Sequence, residues 1–192
     1  MGKIIITGTP GSGKSTILSK ITVKVKVINM GGEMMKILAE KGITERDRVR
    51  HIPYSETVKT RAEVVKRINK IGEDSLIDTH ASVKSSIRYI PGFSTADLDE
   101  LEDIKGVIYI DAHANEIMVR RLTDTTRARE NDLEDEINQQ RRINTSISSY
   151  FSSYLDVPLY VIMNRQNQIE KAVADVERAV NDALGREKQW AK

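Results

Sequence analysis

Short apolar runs alternate with amphipathic stretches along this chain, and their periods sort them into strands and helices. Residues 3–7, 75–78, 107–110 and 159–163 are near-continuous apolar runs of strand length, the pattern of strands buried on both faces. Residues 23–27 alternate Val with Lys, which predicts a half-exposed strand at a sheet edge. Helical spacing appears over 14–21, a short segment, and over 33–41 through Met34, Met35, Ile37 and Leu38. It appears again after Ser55 to about 71, with Val58, Ala62, Val65 and Ile68 on one face and Ser55 as the cap. Residues 96–101 and 114–124 read as shorter helices, and Asp132 as the cap of a long helix ending near 154. The last helix, 169–184, is amphipathic through Ile169, Ala172, Val173, Val176 and Val180. Residues 29–32 read as a turn, 43–53 as a basic loop or short helix, and 81–94 and 125–131 as irregular and polar. Strands alternating with helices predict an α/β domain of three layers, a parallel sheet with helices on both faces.

The first strand runs straight into Gly8-Thr9-Pro10-Gly11-Ser12-Gly13-Lys14-Ser15-Thr16. This is the P-loop pattern, in its required place between strand and helix. Glycine takes positive φ without steric cost, so successive N–H groups can turn inward and cradle phosphate oxygens. Lys14 then reaches the β- and γ-phosphates, the Ser15 hydroxyl ligates Mg²⁺, and the following helix points its positive end at the same anion. The pattern predicts a nucleoside triphosphate site and the P-loop NTPase type of fold.

Ligands of such sheets sit beyond the carboxyl ends of the strands. That rim gathers the P-loop with Asn29–Gly31, Asp78–His80, Asp111–His113 and Asn164–Asn167. A P-loop expects a companion carboxylate at a strand end to hold Mg²⁺. Asp78 and Asp111 both qualify. Asp78, followed by Thr79 and His80, is the stronger candidate, and Asp111 reads as the cap of the next helix. Phosphoryl transfer asks mainly for positive charge around the moving group, and the planar fork of Arg binds phosphate bidentately. Arginines gather at Arg46/Arg48/Arg50, at Arg88, and at Arg120/Arg121/Arg127/Arg129 with Arg141/Arg142 beyond. His51 and His80 could donate to phosphate, but a phosphate acceptor is already an anion and needs no catalytic base.

Composition narrows the classes. A chain of 192 residues suits one sizeable domain. Thirty basic against 28 acidic side chains leave +2, which argues against a general nucleic-acid coat. The absence of cysteine excludes disulfides and thiolate metal ligands, and three scattered histidines argue against zinc. No apolar run approaches the ~20 residues of a membrane span, and the chain enters the P-loop at once, so a cytoplasmic location without a membrane is expected.

Taken together, these segments resemble the archaeal-type adenylate kinases of the P-loop nucleoside monophosphate kinase superfamily. The resemblance is carried in order by residues 8–16, Asn29-Met30-Gly31, Arg46 to Arg50, Ile77-Asp78-Thr79-His80 followed by Lys84 and Tyr89-Ile90-Pro91-Gly92, and Arg120 to Arg129. It implies a five-stranded parallel core in a single kinase domain spanning 1–192, with an AMP-binding segment at about 30–72 and a short lid at about 125–142. It implies reversible transfer from MgATP to AMP, giving two ADP. Gly8 to Thr16 would hold the ATP phosphates, with Asn164 beside the adenine of ATP. Asn29, Gly31, Arg50, Asp78, His80 and Arg88 would form the acceptor side. Arg88, Arg127 and Arg129 would join Lys14 around the transferring group, with Ser15 and Asp78 on the metal. A homotrimer is implied as well. Two departures fall near the acceptor side: Met30 where an aromatic is usual, and Phe93-Ser94 in place of Leu-Pro. The competing readings are a kinase for another nucleoside monophosphate or small hydroxy acid, and an RNA-associated P-loop ATPase. Near-zero net charge and few aromatics weigh against the last.

Overall fold

A computed structural model of the chain describes residues 1–43, 53–123 and 133–186. In order these form β1 (Lys3–Gly8), α1 (Lys14–Leu18), β2 (Lys26–Asn29), α2 (Met30–Glu40), α3 (Tyr54–Asn69), β3 (Ser75–Asp78), β4 (Ser82–Ser85) and β5 (Arg88–Pro91). There follow α4 (Thr95–Glu100), β6 (Ile104–Asp111), α5 (Ala114–Thr123), α6 (Glu134–Leu155), β7 (Leu159–Met163) and α7 (Ile169–Ala183). Five strands make one parallel sheet in the order β2-β3-β1-β6-β7, while β4 and β5 form a separate antiparallel hairpin. Among the described residues no helix is long and apolar enough to cross a membrane.

Alternation along the strands decides which layer each side chain enters. Ile5, Ile28, Ile77 and Val107 face one side, where Ile37, Val64, Val65, Ile68, Leu98 and Phe151 from α2, α3, α4 and α6 close over them. Ile4, Ile6, Leu76, Ile108, Ile110 and Ile162 face the other, covered by Ile17 of α1 and Ala172, Val176, Ala179 and Val180 of α7. The expected α/β sandwich is therefore the observed one, with β3 and β7 on their expected residues.

Local differences have local causes. The edge strand is Lys26–Asn29 and not 23–27, because pairing Ile28 with Ile77 buries the better apolar residue, while Val23 and Val25 pack partly buried beside the sheet. No turn follows it: the Asn29 side chain accepts the Gly32 N–H at 2.7 Å, so the two glycines enter the first turn of α2. α3 starts after Pro53 without a side-chain cap, two residues before the start expected from Ser55. β6 begins at Ile104, earlier than 107, because Lys3 and Ile4 of β1 pair with Ile104 and Gly106. The span 81–94, expected to be irregular, holds the β4–β5 hairpin. Its turn puts Ser86 at φ 56° with no glycine, so the usual hairpin signal was missing. Asp132 lies outside the described residues; the observed N-cap of α6 is Leu133, whose N–H is taken by Glu136 at 2.9 Å.

Candidate functional site

The parallel register brings the carboxyl ends of four strands level. Asp78 pairs with Ile6 on one side and with Asn29 on the other, and Gly8 lies opposite Ile110. Between β1 and α1 the P-loop passes Gly11 and Gly13 at φ 92° and 90°, where any other residue would be strained. Gly13 caps α1 with no side-chain hydrogen bond, so the first N–H groups of that helix are left to a ligand.

What orients the loop is a pair of arginines on its outer side. Arg121 donates to the Pro10 carbonyl from Nε (3.0 Å) and Nη2 (2.7 Å), and Arg120 donates to the Ser12 carbonyl from Nη1 at 3.2 Å. The described peptides are all trans, and in a trans peptide C=O and N–H point in opposite directions. Drawing the Pro10 and Ser12 carbonyls outward therefore turns the N–H groups of Gly11 and Gly13 toward the phosphate side. Gln140 of α6 holds Arg121 at 2.6 Å, and the Asn164 carbonyl holds Arg120 at 3.0 Å. The Asn164 side chain is buried and donates to the same Ser12 carbonyl at 2.8 Å. The resemblance implies Asn164 beside adenine, and the sequence gathers Arg120 and Arg121 in an arginine cluster suited to phosphate. In the structure all three buttress the loop. Only the neighbouring strand end and helix packing bring them there, so nothing in their spacing could have announced it.

Inside the loop, Lys14 Nζ contacts Asp78 Oδ1, and Asn29 Nδ2 donates to Asp78 Oδ2 at 2.6 Å. Lys14 and Asn29 thus both hold Asp78, one at each carboxylate oxygen, and Asp78 itself is buried. Ser15, at the exposed start of α1, and Asp78, on the strand beside β1, are hard oxygen donors of the kind that hold Mg²⁺ together with phosphate and water. Asp111 is not a helix cap. Arg141 of α6 grips both its oxygens, Nε at 3.0 and 3.2 Å and Nη2 at 2.9 Å, and this hydrogen-bonded charge raises the Arg141 pKa further. The start of α5 is served by Glu116 instead, which accepts the His113 N–H at 3.1 Å. Burial pushes the Glu116 carboxyl up, but the N–H groups of Gln166 and His113 and the charge of Arg120 leave it lowered overall.

Arg88 is exposed on β5, and His80 is exposed beyond β3. The hairpin stem is fixed by Gly92, whose N–H donates to the Ala81 carbonyl at 2.8 Å. A Cβ there would come 1.9 Å from the His80 carbonyl oxygen, so Gly92 is required by close approach. The two departures noted near the acceptor side are packing features. Met30 and Phe93 lie in the core, Phe93 edge-on to Phe151 at 5.9 Å, and Ser94 forms a reciprocal cap with Asp97. Gly31 sits in the first turn of α2. The expected site residues Arg50, Arg127 and Arg129, with Arg46, Arg48 and His51, lie outside the described residues.

A family model described as an AAA domain matches residues 7–138. The chain is 29% identical over 182 residues to an adenylate kinase of Methanothermobacter thermautotrophicus, covering 92% of this chain and 98% of that one. It is 29% identical over 190 residues to an adenylate kinase of Methanopyrus kandleri, covering 94% and 98%. Among solved structures it resembles a shikimate kinase from Bacteroides thetaiotaomicron, with TM-score 0.61 at 14% identity, covering 94% of this chain and 98% of that one. That likeness is one of fold.

Proposed function

The chain belongs to the AAA domain family, and from that premise we infer that it is an adenylate kinase, moving the terminal phosphoryl group of ATP onto AMP to give two ADP. The observation that carries the reading is the rim itself: an inward-turned P-loop whose lysine rests on the Asp78 carboxylate beside Asn29. Full-length similarity to adenylate kinases of two archaea supports the choice of acceptor.

The chemistry follows from charge. Phosphoryl transfer needs alignment and positive charge around the moving group more than covalent help. The N–H groups of Gly11 and Gly13 bind the donor phosphates. Lys14 exchanges the Asp78 carboxylate for phosphate oxygens, so its charge is never left uncompensated in a partly buried place. That exchange releases Asp78 to hold, with Ser15, a Mg²⁺ ion that would neutralise charge on the donor phosphates. Asn29, Gly31, His80, Arg88 and Arg50 make up the acceptor side within a segment of about 30–72 and the adjoining hairpin. Arg127 and Arg129 reach the transferring group from a lid of about 125–142. The AMP phosphate attacks as the anion it already is, so no general base is assigned.

Initial rates of nucleoside diphosphate formation from MgATP test this with AMP, GMP, CMP, UMP, a small hydroxy acid and no acceptor. The expected outcome is two ADP per turnover with AMP, and loss of roughly a hundredfold or more in Lys14→Ala, since a charge at the developing transition state is removed. Turnover with a different acceptor moves the substrate; hydrolysis alone, without acceptor dependence, overturns the kinase.

A further inference from the structure

Thr9 of the P-loop, Ser82 of the acceptor-side hairpin and Asn144 of α6 are remote in sequence and meet in the interior. All three are buried, and Asn144 is fully so. Ser82 Oγ donates to Asn144 Oδ1 at 2.6 Å, and Asn144 Nδ2 donates to Thr9 Oγ1 at 3.3 Å. Thr9 Oγ1 lies 2.8 Å from the Tyr109 hydroxyl, which donates to the Arg141 carbonyl at 3.3 Å. Tyr109 has one proton, given to that carbonyl, so the Thr9 hydroxyl donates to Tyr109. The line therefore runs with one polarity, Ser82 to Asn144 to Thr9 to Tyr109 to the backbone of α6. Turning the amide over would face its Oδ1 to the Thr9 oxygen, whose proton is already given to Tyr109, and so lose that bond.

This line joins the two halves of the site. Thr9 lies in the loop whose N–H groups meet the donor phosphates. Ser82 pairs with Pro91 at the base of the hairpin that carries Arg88. α6 itself is fastened to β1 by Thr7 and Ser148, whose hydroxyls are 2.9 Å apart. A shift of the P-loop that left the hairpin behind would break the line and strand buried donors and acceptors, an outcome costlier than moving the elements together. We propose that Asn144 is a positioning residue that couples the donor and acceptor sites, tying Thr9 to Ser82 so that the P-loop and the β4–β5 hairpin respond to their nucleotides as one unit. The proposal rests on the adenylate kinase reading. Asn144 touches neither nucleotide; it acts through the residues on either side of it.

Calorimetric titration of the full chain with AMP, alone and with a saturating non-hydrolysable ATP analogue and Mg²⁺, measures the coupling. In the unaltered protein the analogue changes AMP affinity by about fivefold or more, within the usual range of linked sites. In Asn144→Ala and in the milder Ser82→Ala, which removes one hydroxyl, this factor falls to within about twofold of one while each nucleotide still binds alone. The double variant falls no further, because both changes cut one line. A purely structural asparagine would lower the melting temperature and leave the factor unchanged. A folded Ser82→Ala protein with an unchanged factor overturns the proposal, as do independent sites in the unaltered protein. Failure of AMP to bind the unaltered protein while the ATP analogue binds overturns the adenylate kinase reading and this proposal with it.

Discussion

At the scale of single residues, the site depends on groups held where their ordinary alternatives are expensive. A Cβ at Gly13 would stand 2.3 Å from Asn164 Nδ2, so the glycine and the buttressing amide define one another. The P-loop glycines are legible from the motif, but the hold of Asn164 on Ser12 is not, because the two lie on different strand ends of the sheet. Tyr109 is a second case. Burial first, then the Asp111 charge, pushes its hydroxyl from 10.0 up to about 12. Between those values the native state holds a proton that the unfolded state has lost, so stability falls as pH rises through this window. Tyr109→Phe is expected to remove that part of the slope. It should also cost about 1–3 kcal/mol at neutral pH, because the buried Thr9 hydroxyl loses its acceptor, while the Arg141 carbonyl keeps the Thr145 hydroxyl at 2.9 Å. Denaturant unfolding of both proteins at pH 7 and across the alkaline window checks this; identical slopes would assign the titration to other groups.

Among elements, the hairpin was the hardest to foresee; a buried ion pair joins its end to the short helix α4, expected at 96–101 and found at Thr95–Glu100. Arg61 of α3 places Nε 2.5 Å from Asp97 Oδ2 in α4, with both side chains below 5% exposed. The same carboxylate accepts from the Ser94 N–H at 2.7 Å and the Ser94 hydroxyl at 2.6 Å, and Arg61 Nη1 reaches the Pro91 carbonyl at 3.4 Å. One ion pair thus ties α3, the end of β5 and the start of α4. Asp97→Ala strips a buried guanidinium of its counter-charge and α4 of its cap, and is expected to cost about 3–5 kcal/mol. An Arg61→Leu/Asp97→Leu protein should recover part of the loss, because two apolar side chains avoid the desolvation that the pair required. Urea unfolding of the three proteins gives the comparison, and a double variant less stable than Asp97→Ala would show that the charge itself is needed.

For the whole molecule, donor and acceptor elements hang from one sheet, so occupying both should stabilise it more than occupying one. A bisubstrate analogue with two adenosines joined through phosphates, present at a hundred times its Kd, is expected to add about 2.7 kcal/mol. At ~2–4 °C per kcal/mol for a chain of this size, the melting temperature should rise by ~5–10 °C. A rise no greater than that from an ATP analogue at the same free concentration would mean that only the donor half is engaged.

The sequence by itself determined what short-range pattern can determine. Continuous apolar runs specify strands buried on both faces, helical spacing specifies the covering layers, and the glycine spacing at 8–16 specifies the phosphate loop with Lys14 and Asp78 as its companions. The edge strand slipped by a few residues because alternation of Val and Lys fits several registers, and pairing with β3 selected one of them. The β4–β5 hairpin is not legible in the sequence because a serine, not a glycine, supplies its left-handed turn position. What only the tertiary structure decided is how the arginines divide their work. Arg120, Arg121 and Arg141 are spent on Ser12, Pro10 and Asp111. A guanidinium takes whichever carbonyl or carboxylate the packing brings within reach, and packing sets that choice between residues dozens of positions apart.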